Sequence, residues 1–332
     1  MRPTISAIVP VFNGRRYLPQ AVESVQLQSL PPAELIVVDD GSTDDSLAAL
    51  AGLGSGLPLR VLRQSNAGQS AARNRGAEAA RGDFLAFLDQ DDAWHPQHLQ
   101  TLAAALAGRP EAGWAYSDFD EMDSNGNLVT HRFLAEHGLQ HPKTSLYACV
   151  AADLMVLPSA SLLRKSAFSA VGGFDEALSG YEDDDLFVRV FRAGWTHVYV
   201  PQALVRFRVH GDSSSASERF LASRLRFARK LQGLLPDDRR MRRYYMRDGI
   251  APRFFNSSLD DYVRACAARD WPTARLSYAA LRQFAALRQA GARLRWKLSW
   301  LRQPRLFHLL VALNDRLPRP LRFVRNPMIT LR

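Results

Sequence analysis

The chain has 332 residues, of which 47% are hydrophobic and 23% charged, a composition typical of a globular protein with a large core rather than of a disordered one. Its two cysteines, Cys149 and Cys266, lie far apart in the sequence, which argues against a disulfide framework or a zinc site and favours a reducing, cytoplasmic compartment. No apolar run approaches the roughly 18 to 20 residues that span a bilayer, and the first residues do not resemble a signal peptide.

The charge is unevenly distributed along the chain, whose net charge is +10. Residues 218–332 contain 26 Lys and Arg against 8 Asp and Glu, whereas residues 1–217 contain 17 against 25. This asymmetry predicts two functional regions, an acidic, metal-seeking domain over residues 1–217 and a basic region over residues 218–332.

The beginning of the chain predicts a strand, a helix over residues 17–28 and a second strand over residues 35–38. A strand, helix and strand within so few residues form a βαβ unit, which implies a parallel sheet with a right-handed crossover. Ligands of such sheets bind at the carboxyl ends of the strands. Phe12, Asp39 and Asp40 follow these two strands, so we expect them to converge on one crevice.

A helix over residues 45–53 and a strand over residues 59–62 continue the pattern. Small residues over 66–72 then lead into a helix that carries Arg73 one turn after its start. Helix starts favour anions, and the guanidinium adds a fork for phosphate oxygens. The alternative for this segment is an ordinary capped helix with a solvated Arg73.

Three carboxylates follow a short apolar run over residues 84–88, which predicts a strand buried on both faces. Asp89, Asp91 and Asp92 crowd like charges at the end of this strand, an arrangement that favours a cation or a cluster of donors there. A divalent metal that carries phosphates is the expected cation. The alternative is that Asp91 or Asp92 caps a helix that begins near residue 95.

The middle of the chain predicts a helix over residues 97–106, a strand over residues 112–118 and a hairpin turn at Asn125. Residues 131–147 show no clear period and contain three of the eight histidines. Either a loop over the site or an irregular connection fits this segment.

Four consecutive acids, Glu182 to Asp185, lie at a predicted helix start, and four exceed what the helix dipole and capping need. Because Asp185, Arg189 and Arg192 recur at helical spacing, one of the later acids is expected to form ion pairs along the helix. That leaves Glu182 and Asp183 directed into the crevice. His210 follows the predicted strands over 196–200 and 205–209. It is either an ordinary surface histidine or a partner for metal or phosphate at the same sheet edge.

The basic region predicts amphipathic helices over residues 220–234 and 285–310, with Trp296 and Trp300 in the second. Such helices fit an anionic membrane surface, and equally a solvated appendage or a dimer contact. Nucleic-acid binding ranks far below, because no reader motif is present and the acidic domain would repel phosphate without a metal.

Taken together, these motifs resemble glycosyltransferase family 2, the inverting nucleotide-sugar enzymes with the GT-A fold. Six segments occur in the family's order and spacing over about residues 4 to 212, and they are residues 8–13, 37–44, 66–74, 87–92, 172–175 and 182–183. The resemblance implies an α/β fold with a Rossmann-like, mostly parallel sheet flanked by helices, followed here by a basic helical appendage over 218–332.

The resemblance also implies a function for particular residues. The implied roles are catalysis by Asp183 with Glu182, donor binding by Pro10, Phe12, Asp39, Asp40, Arg73, Asp89 and Gln90, and a Mn²⁺ or Mg²⁺ held by Asp91 with Asp89 and His210. The implied partners are a nucleotide-sugar donor, with UDP favoured over dTDP and GDP, and a saccharide or lipid-linked saccharide acceptor. A protein that binds nucleotide sugars without transfer is the alternative function.

The chemistry of such a transfer matches these residue types. Displacing a nucleoside diphosphate from an anomeric carbon needs a Lewis acid on the leaving group, which a metal held by carboxylates supplies. It also needs a base beside the acceptor hydroxyl. With one base and no nucleophile, in-line attack inverts the anomeric centre. Asp91 and Asp183 are expected to divide these two roles.

Overall fold

The computed structural model describes residues 4–50, 56–211 and 218–316. The chain divides into two compact units and passes from one to the other three times. Unit 1 consists of Met1–Leu146 and Leu154–Ser215, and unit 2 consists of Tyr147–Asp153 and Ala216–Arg332. A short internal segment therefore belongs to the same unit as the basic region.

The strands of unit 1 that the structure describes form one mixed sheet. They are β1 (Ile5–Val11), β2 (Glu34–Asp39), β3 (Leu59–Arg63), β4 (Phe84–Phe87), β5 (Ala93–Trp94), β6 (Ala112–Met122), β7 (Leu128–Thr130), β8 (Ser161–Arg164) and β9 (Thr196–Arg208). Their order is β3-β2-β1-β4-β8-β6-β9-β5, with β7 paired to β6. The pairs among β3, β2, β1 and β4 are parallel, as the βαβ pattern predicts, whereas β8 joins antiparallel to both β4 and β6.

Helices flank this sheet and cover its apolar residues. In unit 1 they are α1 (Leu18–Gln26), α2 (Gln69–Ala79), α3 (His98–Leu106), α4 (Phe133–Glu136), α6 (Lys165–Ala170) and α7 (Glu182–Arg192), with α5 (Leu146–Ala151) at the change of unit. β1 and β2 are buried along their whole length, because helices pack on both faces of a parallel sheet. These α/β layers confirm the predicted fold class.

Pro10 lies within central strand β1, where a residue without an N–H is unusual. The pairing register accounts for its tolerance there. β4 ends at Phe87, which pairs with Ile8, so Pro10 lies beyond the last paired residue of β4. On the other side Pro10 is in register with Val38 of β2. The strand can therefore carry a proline at the edge where the site begins.

Two local predictions differ from the structure. In place of a helix over residues 45–53, the described residues contain a single 3-10 turn at Ala48–Leu50. The Asp44 side chain accepts hydrogen bonds from the backbone and hydroxyl of Ser46, a local turn that competes with helical pairing. The proposed cap at residues 91 and 92 is also wrong, because α3 follows Gln97 and Asp92 bonds elsewhere.

The segment over residues 131–147 contains the short helix α4, and two of its histidines are tied to β6. His131 Nδ1 lies 2.7 Å from Asp120 Oδ1, and His141 Nδ1 lies 2.9 Å from the Tyr116 hydroxyl. Burial lowers the pKa of His141 to about 4. These contacts favour the interpretation of this segment as a fixed irregular connection.

Unit 2 is helical, as the amphipathic pattern predicts. Its helices are α8 (Glu218–Leu234), a π-helical turn (Tyr245–Ile250), α9 (Ala251–Ala267), α10 (Trp271–Leu287), α11 (Ala292–Ser299), a 3-10 turn (Trp300–Arg302) and α12 (Pro304–Arg316). Phe227, Phe254 and Phe284 are buried and in ring contact, which gives the unit an aromatic core. Among the described residues, no helix combines the length and apolarity that a bilayer crossing requires.

Candidate active site

The Arg73 side chain joins the two predicted acidic motifs of unit 1. Arg73 Nη2 lies 2.6 Å from Asp89 Oδ1, at the end of β4, and Nη1 lies 3.1 Å from Asp183 Oδ1, in the first turn of α7. Glu182 Oε1 lies 3.8 Å from Nη1. The Arg73 side chain is 1% exposed, so the prediction of a solvated arginine is wrong. Acids more than 90 residues apart in sequence thus share one buried cation.

Charge balance explains why Arg73 is buried. Burial by itself would lower the pKa of Arg73, but Asp89, Asp183 and Glu182 raise it, so the guanidinium stays charged. Its carbon Cζ also lies 5.1 Å from the centre of the Phe174 ring, a cation–π contact. The direct partners of its two terminal nitrogens are carboxylates, so the arginine organises the acids.

Asp183 has the properties of a general base. Burial, together with the charges of Glu182 and Asp89, raises its pKa well above the usual range of an aspartate, although Arg73 opposes this shift. A carboxylate with a raised pKa accepts a proton more readily at neutral pH. Its side chain remains 29% exposed, so a substrate hydroxyl can reach it.

The turn before α7 directs the two acids. Tyr181 has a φ of +65°, in the left-handed region that is uncommon for a bulky residue. Glu182 Oε2 accepts a hydrogen bond of 2.6 Å from the backbone N–H of Gly180. Asp185 is held instead by Arg189, at 2.7 Å, which confirms the predicted ion pair along α7. Glu182 therefore supports the turn, and Asp183 is the more accessible acid.

Asp91 pairs with His210 across the loop after β4. Asp91 Oδ2 lies 2.9 Å from His210 Nε2, and the imidazole lies against the Tyr17 ring, with centroids 5.4 Å apart. Burial and the charge of Asp89 raise the pKa of Asp91, and the hydrogen bond from His210 opposes that shift. The structure thus places two predicted metal ligands in contact.

These two side chains fit a divalent metal that also binds substrate. A carboxylate oxygen suits either Mn²⁺ or Mg²⁺, and the neighbouring imidazole nitrogen suits a transition metal such as Mn²⁺ better than Mg²⁺. The described residues contain no group of three or more His, Cys, Asp or Glu arranged to hold a metal. A divalent metal held by this pair would need further oxygen ligands, which Mg²⁺ commonly takes from water and phosphates.

A buried arginine fixes the backbone of this loop, and the sequence analysis missed it. Arg208 donates from its backbone to Asp92 Oδ1 and from Nε to the Asp91 carbonyl, at 3.0 and 2.8 Å. Its guanidinium also lies over the Tyr17 ring, 4.4 Å from the centroid. Strand alternation gives no signal of this role, because Arg206 and Arg208 share one face of β9 and only Arg208 is buried.

Two further polar residues position Asp89 and were also missed. Gln69 Nε2 donates to Asp89 Oδ1 at 2.9 Å, and the Asp89 backbone N–H donates to the Ser159 hydroxyl at 3.1 Å. Gln69 is the first residue of α2 and Ser159 precedes β8, so neither lies near Asp89 in sequence. Only the strand order brings them together.

The predicted donor-binding residues at the ends of β1 and β2 lie in a second group. Phe12 is 44% exposed, so its ring is available to stack on a base. The Gln90 amide exchanges two hydrogen bonds with the Phe12 backbone, at 2.9 and 3.1 Å, which makes Gln90 a positioning residue. Asp39 accepts a hydrogen bond from the Ser42 backbone at 3.0 Å.

Asp40 is largely occupied by the loop that precedes α2. Its carboxylate accepts hydrogen bonds from the backbones of Ala67 and Gly68, each at 2.8 Å, and from Gln64 Nε2 at 2.7 Å. A carboxylate has about four acceptor positions, so about one remains for a ligand. Asp40 thus serves mainly to hold the loop against the strand end.

Comparisons with known proteins agree with this fold. The model of the family described as "Glycosyl transferase family 2" matches residues 6–171. The chain is 30% identical to an O-antigen biosynthesis protein of Myxococcus xanthus, over 65% of this chain and 16% of that protein. It is 25% identical to a chondroitin synthase of Escherichia coli, over 64% of this chain and 30% of that protein.

Several other relatives carry only the general name glycosyltransferase. An uncharacterized glycosyltransferase of Rickettsia bellii is 27% identical over 64% of this chain and 31% of its own length. The chain therefore spans about a third of the length of such curated relatives.

Solved structures share the fold. TarS 1–349 of S. aureus, in complex with UDP-GlcNAc, matches with a TM-score of 0.62 and 19% identity over 94% of this chain and 91% of that one. The mannosyltransferase PcManGT of Pyrobaculum calidifontis, in complex with GDP-Man and Mn²⁺, matches with a TM-score of 0.53 and 18% identity, over 100% of this chain and 85% of that one.

Proposed function

Because the chain belongs to glycosyltransferase family 2, we propose that it transfers a sugar from a nucleotide-diphosphate sugar to an acceptor hydroxyl with inversion at the anomeric carbon. The observation that carries this proposal is the Arg73 bridge between Asp89 and Asp183. Arg73 holds Asp89, which adjoins the carboxylates that would bind a metal for the leaving diphosphate, beside Asp183, whose raised pKa suits a base.

The reaction that we propose has one base and no covalent intermediate. Asp183 accepts the proton of the acceptor hydroxyl while the oxygen forms a bond to the anomeric carbon. The bond between that carbon and the diphosphate oxygen breaks, and the nucleoside diphosphate leaves with the electron pair. The negative charges of Asp183 and Glu182 also stabilise the oxocarbenium character of the transition state.

The leaving group needs charge neutralisation as well as a base. Asp91 and His210 would hold a divalent metal, Mn²⁺ or Mg²⁺, and Asp89 would support it from the start of the same loop. When bound, such a metal acts as a Lewis acid on the diphosphate. Arg208 fixes the backbone on which Asp91 lies, so it positions the ligand pair.

The donor that we propose is a UDP-sugar. TarS, a protein of the same fold, binds UDP-GlcNAc. Phe12 would stack on the base, with Pro10, Asp39 and Asp40 around it and Gln90 holding the Phe12 backbone. GDP and dTDP sugars are the competing donors, and PcManGT, again of similar fold, binds GDP-Man.

The acceptor that we propose is a saccharide or lipid-linked saccharide of bacterial surface polysaccharide or glycolipid assembly. The O-antigen biosynthesis protein and the chondroitin synthase named above support this class. We further propose that the protein acts in the cytoplasm, with the basic helical region against the inner face of the membrane. The excess of Lys and Arg over residues 218–332 supports that placement.

A thermal-shift screen of the full chain against UDP-, dTDP- and GDP-sugars, with and without Mn²⁺, tests the donor. We expect a metal-dependent rise in the unfolding midpoint with one nucleotide class, UDP, because a ligand that binds only the native state stabilises it. A shift with none of the three would contradict the proposed function.

Two isosteric variants test the division of roles. Asp91→Asn removes a proposed metal-binding charge, so the metal-dependent shift is expected to disappear. Asp183→Asn removes the base, so the shift is expected to remain while the transfer rate falls by about 10²- to 10⁴-fold. Loss of donor binding in Asp183→Asn would reject this assignment of the base.

A further inference from the structure

A groove in unit 2 is lined by three arginines that carry no ion pair among the described residues. Arg282 of α10, Arg295 of α11 and Arg302 of the following 3-10 turn border a groove of about 810 Å³. Ala285 and Ala290 also line it, and such small side chains leave room between the helices. All three arginines are exposed, so the groove presents three positive charges to an anion from solution.

The remaining polar lining fits an oxygen-rich anion. Tyr278 and Gln289 lie on the α10 side with Arg282, and both side chains can donate hydrogen bonds. Guanidinium groups bind phosphate oxygens through paired N–H donors, which favours phosphate over a simple halide. Among the residues that the structure describes, no carboxylate lines the groove. A phosphate monoester or diester is therefore the ligand class that the groove suits.

Exposed apolar residues in the same segment indicate where that phosphate comes from. Trp296 and Trp300 lie between Arg295 and Arg302 along α11 and the 3-10 turn that follows it. The two indoles are 60% and 53% exposed and in contact, with centroids 5.1 Å apart. Tryptophan with a neighbouring cationic face is typical of a protein surface that enters the membrane interface.

Helix α12 of the same unit also carries exposed apolar side chains. Leu306 and Leu309 lie one turn apart on α12 and are 52% and 57% exposed. Apolar side chains of this size gain free energy in the headgroup region of a bilayer, whereas a nucleic acid offers them little. The combination of cationic groove, indole pair and exposed leucines therefore favours a lipid surface over a polynucleotide.

We infer that the groove lined by Arg282, Arg295 and Arg302 binds the phosphate of an anionic lipid head group, with Trp296 and Trp300 inserted beside it. This inference specifies the membrane contact in the proposed function, but it requires no sugar transfer. Vesicle binding and donor binding can therefore fail separately in experiments on the full chain.

The test compares two triple variants of the full chain that remove the same charge. The groove variant, Arg282→Gln/Arg295→Gln/Arg302→Gln, removes the three positive charges that line the groove. The control variant, Arg239→Gln/Arg240→Gln/Arg242→Gln, removes three exposed arginines elsewhere in unit 2. Co-sedimentation with phosphatidylglycerol vesicles is expected to weaken at least about 10-fold in the groove variant and less than about 3-fold in the control. Phosphatidylcholine vesicles are expected to bind neither protein strongly.

Further measurements complete the test. Trp296→Ala/Trp300→Ala is expected to weaken vesicle binding and keep the circular dichroism spectrum, because both indoles are exposed. Equal losses in the two arginine variants would overturn the inference, as would full binding by the groove variant. Binding of soluble glycerol phosphate or a polynucleotide without vesicle binding would also overturn it. The UDP-sugar thermal shift is expected to stay unchanged in every variant.

Discussion

Arg73 is the residue that determines how the acids of unit 1 coexist. Asp89 and Asp183 are close enough to raise the pKa of Asp183, and the guanidinium between them opposes that effect. Removing one partner of a buried ion pair usually destabilises strongly, because it leaves the other charges uncompensated. The arginine therefore serves the fold and the base at once.

Replacing Arg73 with lysine separates these two contributions. Lysine keeps the charge but lacks the fork that reaches both Asp89 and Asp183, so the pKa of Asp183 is expected to rise further. Because the base must be deprotonated, kcat/KM of the wild type should increase with pH through a pKa above the ordinary range of an aspartate. In Arg73→Lys that rise is expected at a higher pH than in the wild type.

A pH profile of kcat/KM for both proteins provides the measurement. Arg75→Lys is the matched control, since Arg75 is an exposed residue of the same helix. Its profile is expected to overlay the wild type. A wild-type rise at the pH of an ordinary aspartate would show that Asp183 is not the group that titrates.

At the scale of elements, helix α3 contains a buried histidine that links stability to pH. His98 is fully buried at the start of α3 and stacks on Trp94 of β5, with centroids 4.7 Å apart. Burial, with a smaller contribution from His95, lowers the pKa of His98 to about 3. In the unfolded chain the same imidazole protonates near pH 6.5.

This difference predicts a loss of stability in acid. Below pH 6.5 the unfolded state binds a proton that the native state excludes, so the stability from neutral His98 is lost as the pH falls towards 3. Between pH 7 and pH 5 the free energy of unfolding should fall by about 2 kcal/mol more in the wild type than in His98→Phe. Urea titrations at the two pH values measure this difference.

The matched control is His137→Phe. His137 stacks on Phe133 but is exposed. The change therefore removes an exposed imidazole and leaves the buried imidazole of His98 in place. Between pH 7 and pH 5, the free energy of unfolding of His137→Phe is expected to fall as much as that of the wild type. An equal loss in His98→Phe would contradict the role of burial at α3.

The strands and helices were more predictable from sequence than the contacts of the site. Apolar runs and periodicity locate β1, β2, β4 and α7 to within a few residues, because burial alone determines them. The motif around Asp89 and Asp183 is also readable, yet its connection through Arg73 is not, since strand order decides which distant residues meet. The burial of Arg208 could not be predicted from the sequence for the same reason. At Asp44, local side-chain hydrogen bonds form a turn in place of a predicted helix.

At the scale of the whole molecule, the division into units does not follow a single point in the sequence. The proposed boundary at residue 217 lies outside the described residues, and Tyr147–Asp153 belongs with the helical unit. Within unit 2, Tyr147 donates to the Asp248 carbonyl at 3.1 Å and Asp153 pairs with Arg253 at 2.5 Å. The assignment of catalysis to residues 1–217 and of membrane contact to residues 218–332 stays a prediction.

Truncation after Ser215 is therefore expected to leave the segment over residues 147–153 without its partners in unit 2. The shortened chain keeps residues 147–153 but loses Asp248 and Arg253, and it keeps Val150, which is fully buried in the whole protein. Dye binding to exposed apolar surface should increase relative to the whole protein, because the partners of this segment are gone. A chain of the same length with a Gly-Ser linker over 147–153 is the control. Identical dye binding by the two chains would contradict the assignment of this segment.

The interrupted unit also imposes an order on biosynthesis. Arg253 follows its partner Asp153 by 100 residues, which at about 5–20 residues per second separates their emergence from the ribosome by roughly 5–20 s. The whole sequence of unit 1 is available once residue 215 has emerged. Unit 2, by contrast, has to pair its later residues with a segment, Tyr147–Asp153, that was synthesised earlier. The nascent chain consequently presents residues 147–153 to chaperones and proteases for as long as translation of the last third takes.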